Sequence, residues 1–92
     1  MIATRHLIIT GRVQGVGYRA WAAHAARDMG LDGWVRNRAD GSVEAVISGD
    51  AAKVRAFLNA CHNGPALARV DEIAISDRAE VPEAGFVTRP TG

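Results

Sequence analysis

Hydrophobic and polar residues in the first third of the chain alternate in a way that predicts a strand followed by a helix. Residues 5–11 (RHLIITG) have an apolar, β-branched centre, which is typical of a strand, and we expect it to end at Gly11. The alanine-rich stretch 19–29 favours a helix, and Gly30 can close it in the left-handed conformation. Helical spacing predicts that one face of this helix meets the core through Tyr18, Ala22, Ala25 and Met29.

The remaining two thirds of the chain predict a hairpin, a second helix and a final strand. Residues 32–38 and 41–49 read as two strands joined by a turn at Ala39-Asp40-Gly41. Asp50 is a suitable N-cap for a helix that runs to about His62. Its apolar stripe consists of Val54, Phe57, Leu58 and Cys61. A strand over residues 69–76 follows, and a short extended tail lies near residues 85–89.

The predicted order of elements is β-α-β-β-α-β, which is typical of the ferredoxin-like sandwich in the α/β (α+β) class. We therefore expect an antiparallel sheet with two helices on one face and a short extra strand at its C-terminal edge. The other face of the sheet would be open to solvent. Since 92 residues suffice for one hydrophobic core, we expect a single domain over residues 1–92.

Composition narrows the classes of function. The hydrophobic share of 48% and the charged share of 23% are those of a globular protein rather than a disordered one. A net charge of +1 is too small for a general binder of nucleic acids or acidic membranes. The single Cys61 excludes an intramolecular disulfide, and the sequence shows neither a signal peptide nor a transmembrane span. We expect a monomer in the cytoplasm.

The stretch GRVQGVGYR, residues 11–19, is the first candidate for chemistry. Between a strand and a helix, glycines allow successive backbone N–H groups to point at one centre, where the helix dipole also favours an anion. Arg19 could add two parallel hydrogen bonds to phosphate oxygens. The alternative is a tight turn in which the glycines serve only geometry. The stretch matches neither a Walker loop nor the dinucleotide-binding glycine motif.

Asn37 is the second candidate, because it precedes the predicted hairpin turn and could face the glycine loop. Its carboxamide is no general base near neutral pH, but it can hold a water molecule by donating and accepting hydrogen bonds. Taken alone, an asparagine at this position is more often a residue that flanks a turn.

Together these two segments make the chain resemble the acylphosphatase family over essentially its whole length. The family's first motif, G-x-V-Q-G-V-x-[FY]-R, is matched at every fixed position of residues 11–19. Its second motif, G-W-V-x-N followed by D-G-x-V-E, is matched by residues 33–37 and 40–44. The segment from Val54 to Val70 resembles the family's second helix and last core strand, whereas the C-terminal GFVTRPTG is less typical.

The resemblance implies hydrolysis of the carboxyl–phosphate bond of small acyl phosphates to a carboxylate and inorganic phosphate. It implies that Arg19 binds the phosphate and that Asn37 positions the attacking water. It also implies a cradle of backbone amides, which would come from Gln14, Gly15, Val16, Gly17, Tyr18 and Arg19. No metal or other cofactor is expected.

Three other interpretations stay open from the sequence. The chain could be an anion-binding module without turnover, an accessory domain of a carbamoyl-phosphate-using system, or an RNA-binding ferredoxin-like module, although it lacks an evident aromatic pair for stacking on bases. The histidines at positions 6, 24 and 62 are scattered, so we interpret them as structural or surface residues. Cys61 is interpreted as a core residue, while Arg12, Arg36 and Arg38 either steer anions or are ordinary solvated arginines.

Overall fold

The computed structural model describes residues 1–92, which form two helices and one five-stranded sheet. The elements are β1 (Ile2–Arg12), α1 (Tyr18–Asp28), β2 (Asp32–Asn37), β3 (Val43–Asp50), α2 (Ala51–Cys61), β4 (Arg69–Asp77) and β5 (Phe86–Thr88). The strand order is β4-β1-β3-β2-β5. The first four strands are antiparallel neighbours, which confirms the ferredoxin-like arrangement. β5 pairs with β2 in parallel, so the sheet is mixed rather than purely antiparallel.

β1 is an interior strand of the sheet, and it is longer than predicted because β3 and β4 pair with its two sides. Its residues Ala3, Leu7 and Ile9 are buried on the side that faces the helices. Gly11 does not end the strand. It lies at a bulge where the register to β4 shifts, and a Cβ there would be 2.2 Å from the carbonyl oxygen of Arg69. Glycine is needed at this position because the backbones of the two strands approach each other closely.

α1 begins one residue earlier than predicted and presents a slightly different face to the sheet. The buried residues are Tyr18, Ala22, Ala23 and Ala26, whereas Ala25 and Met29, which were predicted to face the core, lie at its margin and are only partly buried. The reason is that Tyr18, Ala22 and Ala26, which are spaced four residues apart, form the row of side chains that contacts the core. The Arg27 side chain donates from Nε and Nη2 to the Phe86 carbonyl oxygen over 3.1 and 3.0 Å, which attaches α1 to β5.

α2 follows the prediction closely. The Asp50 carboxylate accepts hydrogen bonds from the backbone N–H groups of Ala52 and Lys53, as expected of an N-cap. Val54, Phe57 and Cys61 of the predicted stripe are buried, and Leu58 packs against the same core. The Tyr18 hydroxyl donates to the Cys61 carbonyl oxygen over 2.7 Å, so the start of α1 is joined to the end of α2.

The sheet face opposite the helices is partly covered, contrary to the prediction of an open face. The hydroxyls of Thr4 and Ser48 form a buried hydrogen bond of 2.8 Å there. The segment between β4 and β5 is attached at both ends, because Arg78 donates its N–H to the Thr4 carbonyl and Gly85 donates to the Asp32 carboxylate. β1, β2 and β5 run in the same direction, so their C-terminal ends lie at one edge of the molecule.

Candidate active site

The glycine loop joins the C-terminal end of β1 to α1. Gly15 and Gly17 have φ angles of 73° and 82°, in the left-handed region, and the residues on either side do not. Alternation of this kind turns successive N–H groups toward one concave surface. Gly17 is also the N-cap of α1, with no side-chain cap and no acidic residue in the first turn. The first N–H groups of the helix are therefore available to an anion, as at other helix N-termini.

The Gln14 side chain connects the glycine loop to the β2–β3 hairpin. Its Nε2 donates to the carbonyl oxygens of Arg38 and Ser42, each over 2.8 Å. Within the hairpin turn, the Asp40 carboxylate accepts hydrogen bonds from the Ser42 hydroxyl and N–H over 2.6 and 2.9 Å. These two hydrogen bonds from Ser42 lower the pKa of the Asp40 carboxyl. Sequence reasoning had assigned Gln14 a backbone role only.

Asn37 is the last residue of β2 and carries an unusual side chain. Its Oδ1 is buried and has no hydrogen-bond partner in the protein. Buried polar atoms are nearly always paired, so an unpaired acceptor marks a position where a donor from solvent or a ligand is expected. A water molecule that donates to this oxygen would satisfy it.

Arg19 and Asn37 lie in the wall of the same cavity, which has a volume of about 290 Å³. The glycine loop and the start of α1 supply Val13, Gly15, Gly17, Tyr18, Arg19 and Ala20. The sheet supplies Asn37 and Thr88. Of the six residues whose amides were predicted to form the cradle, Gln14 and Val16 are not part of this wall. The cavity therefore brings together the predicted phosphate arginine, the predicted water ligand and most of the predicted loop.

The Arg19 guanidinium is half-buried and forms no ion pair within the protein, since the ion pairs involve other basic residues. Arg36 shows the contrast, because its Nε contacts the Glu44 carboxylate at 2.7 Å on the opposite face of the sheet. The positive charge of Arg19 faces a cavity and is free to pair with a bound anion.

A family model described as Acylphosphatase matches residues 5–88 of the chain. The chain belongs to the acylphosphatase family. It is 56% identical to the acylphosphatase of Acidiphilium cryptum (strain JF-5), with 100% of both chains covered. This identity supports an enzyme with acylphosphatase activity, whose substrate is a small acyl phosphate.

Solved structures agree with this assignment. The crystal structure of acylphosphatase from Bacillus subtilis superposes with a TM-score of 0.90 at 32% identity, over 97% of this chain and 99% of that one. The crystal structure of full-length HypF in its phosphate- and nucleotide-bound form has a TM-score of 0.88 at 29% identity. That match covers 99% of this chain but 12% of HypF. Neither helix of the present structure is long and apolar enough to cross a membrane.

His6, His24 and Cys61 are not part of this cavity wall. His6 contacts Glu44 at 2.7 Å on the opposite sheet face, and His24 pairs with Asp28 on an exposed part of α1. No group of three or more histidine, cysteine or acidic residues is placed to hold a metal. Cys61 is fully buried, and burial raises the pKa of its thiol to about 12. Its thiol is therefore protonated at neutral pH.

Three residues of the cavity wall were not predicted as site residues: the apolar Val13 and Ala20, and Thr88, which is the polar one. Thr88 belongs to neither motif and lies in the C-terminal segment that matched the family pattern least. The only signal in the sequence was that the tail was predicted to be extended. Its place beside the site depends on the parallel pairing of β5 with β2, in which Thr88 is opposite Val35.

Proposed function

We propose that the cavity binds the phosphoryl group of an acyl phosphate through Arg19 and the glycine loop, and that Asn37 positions the water that attacks it. The observation that carries this proposal is the shared cavity, in which an unpaired arginine, a loop of exposed N–H groups and the orphaned Oδ1 of Asn37 meet. The N–H groups of residues 14–19 would bind the phosphoryl oxygens, with those of Gly15, Gly17, Tyr18 and Arg19 nearest the cavity.

In this proposal Arg19 and the glycine loop bind the phosphoryl group with different kinds of hydrogen-bond donor. A guanidinium can donate two parallel hydrogen bonds to phosphate oxygens and adds a positive charge. The loop adds neutral donors together with the positive end of the α1 dipole. During transfer, negative charge stays on the equatorial oxygens, so these donors stabilise the transition state as well as the bound substrate.

Asn37 acts on the nucleophile. In this scheme the water donates one hydrogen bond to Oδ1 of Asn37 and directs an oxygen lone pair at phosphorus. As the new P–O bond forms, the bond to the acyl oxygen breaks and its electron pair leaves with the carboxylate. The proton of the water passes to a phosphoryl oxygen. A carboxylate is a good leaving group, so positioning and charge stabilisation suffice and no metal is needed.

The role of Arg19 can be tested by measuring the hydrolysis of benzoyl phosphate in the presence of a chelator. We expect Arg19→Ala to lower kcat/KM by on the order of 10²–10³, as for other single donors to a transition-state anion, and to weaken inhibition by inorganic phosphate. Arg19→Lys keeps the charge but loses the planar fork, and we expect an intermediate loss. A folded Arg19→Ala variant with unchanged kcat/KM and phosphate inhibition would contradict the proposal.

We further propose that the protein acts as a single domain over residues 1–92 and as a monomer. The sheet has two edge strands, the three-residue β5 and the longer β4, and β4 carries charged residues such as Arg69, Asp71 and Glu72. Charges on an edge strand oppose pairing between copies. Light scattering should report the mass of one chain, and a concentration-dependent dimer would contradict this expectation.

An RNA-binding function receives no support from the sheet surface. Trp34 is the aromatic residue on the face opposite the helices, and it is only 7% exposed because the guanidinium groups of Arg36 and Arg89 lie over its ring. Single-stranded RNA is usually read by stacking of bases on exposed aromatic rings. We therefore propose that the protein does not act on nucleic acids, which tight RNA binding at physiological salt would contradict.

The single cysteine, Cys61, is consistent with a reducing compartment, and we propose the cytoplasm. Detection of the protein outside the cytoplasm in cell fractions would contradict that location.

A further inference from the structure

The cavity wall contains one side-chain hydroxyl that the binding of phosphate and water leaves unused. Arg19 and Asn37 have assigned partners, and the Tyr18 hydroxyl is already bonded to the Cys61 carbonyl. Thr88 is the remaining polar side chain of the wall, and it is exposed. Its hydroxyl can rotate to donate a hydrogen bond to a ligand in the cavity.

The position of Thr88 is fixed by anchors on both sides. The preceding two residues of β5 pair with β2, and Arg89 donates its N–H to the Val35 carbonyl oxygen over 2.9 Å. The Arg27 side chain attaches β5 to α1 through the Phe86 carbonyl. Thr88 shares with Phe86 the sheet face that packs on the helices, which directs it toward the start of α1. A group held on a paired strand can be positioned more closely than one on a free loop.

Thr88 and Asn37 are separated enough to act on opposite sides of a phosphoryl group. Val35 is opposite Thr88, and Asn37 lies two residues farther along β2. Two residues along a strand and one step between strands correspond to about 8 Å between Cα atoms. In-line transfer requires the attacking water and the leaving oxygen to lie on opposite sides of phosphorus.

We infer that the Thr88 hydroxyl donates a hydrogen bond to the leaving carboxylate of the acyl phosphate. This inference rests on the proposed roles of Arg19 and Asn37, because those roles fix the orientation of the substrate. As the bond from phosphorus to the acyl oxygen breaks, its electron pair moves to the carboxylate and is shared with the carbonyl oxygen. A hydrogen bond to either oxygen therefore becomes stronger as the reaction proceeds.

The test is the dependence of rate on the leaving group. A series of ring-substituted benzoyl phosphates varies the basicity of the departing carboxylate while the phosphoryl group stays the same. We expect Thr88→Val, which keeps the β-branched shape, to lower kcat/KM about tenfold for the most basic leaving group and less for the most acidic one. Thr88→Ser keeps the hydroxyl and should behave nearly as wild type. Inhibition by inorganic phosphate, which has no acyl group, should be unchanged in both variants.

Other outcomes would overturn the inference. A loss by the same factor across the series would show that Thr88 has only a structural effect, as would weakened phosphate inhibition in Thr88→Val. A serine variant as slow as the valine variant would exclude a role for the hydroxyl. Arg19→Ala, measured in parallel, separates the two proposals. If it retained phosphate inhibition, the orientation behind both proposals would be wrong. If it lost phosphate inhibition while Thr88→Val gave a uniform effect, only the inference on Thr88 would fail.

Discussion

Individual residues show which part of the site a motif can predict. The two family motifs predict Arg19 and Asn37 as site residues, and both side chains line the same cavity. The side-chain role of Gln14 was not predictable, since its two hydrogen bonds reach carbonyl groups that the fold brings near from residues 38 and 42. A sequence shows the donor but not the backbone acceptors that a distant hairpin supplies.

We expect the two hydrogen bonds of the Gln14 side chain to set the separation between the glycine loop and Asn37, and Gln14→Leu tests this. We expect kcat for benzoyl phosphate to fall about tenfold, because a displaced water loses alignment with phosphorus. The free energy of unfolding should change little. The Arg38 carbonyl still accepts from the Gly41 N–H, and the Ser42 carbonyl still accepts from the Arg38 N–H. An unchanged kcat in the folded variant would show that the two segments hold their places without Gln14.

At the scale of elements, local patterns predicted both helices and the four main strands, because each has its own periodicity and end signals. The pairing of the short β5 could not be predicted. Three residues carry too little periodicity, and their parallel alignment with β2 is fixed by distant contacts such as those from Arg27 to the Phe86 carbonyl. Thr88 could therefore not be assigned to the site from sequence. The burial of Ala25 and Met29 was predicted wrongly for a related reason. Only the packing of α1 against the sheet decides which of two adjacent rows of helix side chains is buried.

The contact between α1 and α2 gives a prediction on stability alone. Tyr18→Phe removes the donor to the buried Cys61 carbonyl oxygen, and leaving such an acceptor unpaired costs about 1–3 kcal/mol. Urea unfolding should show this decrease in the free energy of unfolding. Because we propose that Tyr18 serves the site only through its backbone N–H, kcat at a temperature where the variant is folded should match wild type. A large fall in kcat would instead place the hydroxyl in the catalytic step.

Glu44 joins three strands, because its carboxylate contacts His6 on β1 and Arg36 on β2, each at 2.7 Å. Burial alone would raise the pKa of this carboxyl, but the hydrogen bonds from His6 and Arg36 outweigh it, and the pKa lies below its ordinary value of 4.5. A lowered pKa stabilises the fold above pH 4.5, and this contribution is lost as the pH falls through the folded-state value. Urea unfolding of wild type and Glu44→Gln should therefore converge at low pH. A constant difference across the titration would contradict this assignment.

In the molecule as a whole, the candidate active-site residues lie at one edge, away from the titratable cluster around Glu44. The parallel directions of β1, β2 and β5 bring the glycine loop, Asn37 and Thr88 to a common end, while the Glu44 cluster lies on the opposite sheet face. The ferredoxin-like order was predictable because seven segments in this sequence order allow few compact arrangements. The cavity was not, since its volume depends on how α1 and β5 pack together.

The central claim is that binding of phosphate and positioning of water are separate functions of Arg19 and Asn37. The most direct measurement compares kcat for benzoyl phosphate with the inhibition constant for inorganic phosphate in Asn37→Ala, beside Arg19→Ala and wild type, with the fold checked by circular dichroism. We predict that Asn37→Ala loses on the order of 10² or more in kcat but keeps phosphate inhibition, whereas Arg19→Ala loses both. Near-normal kcat in a folded Asn37→Ala variant would contradict the account.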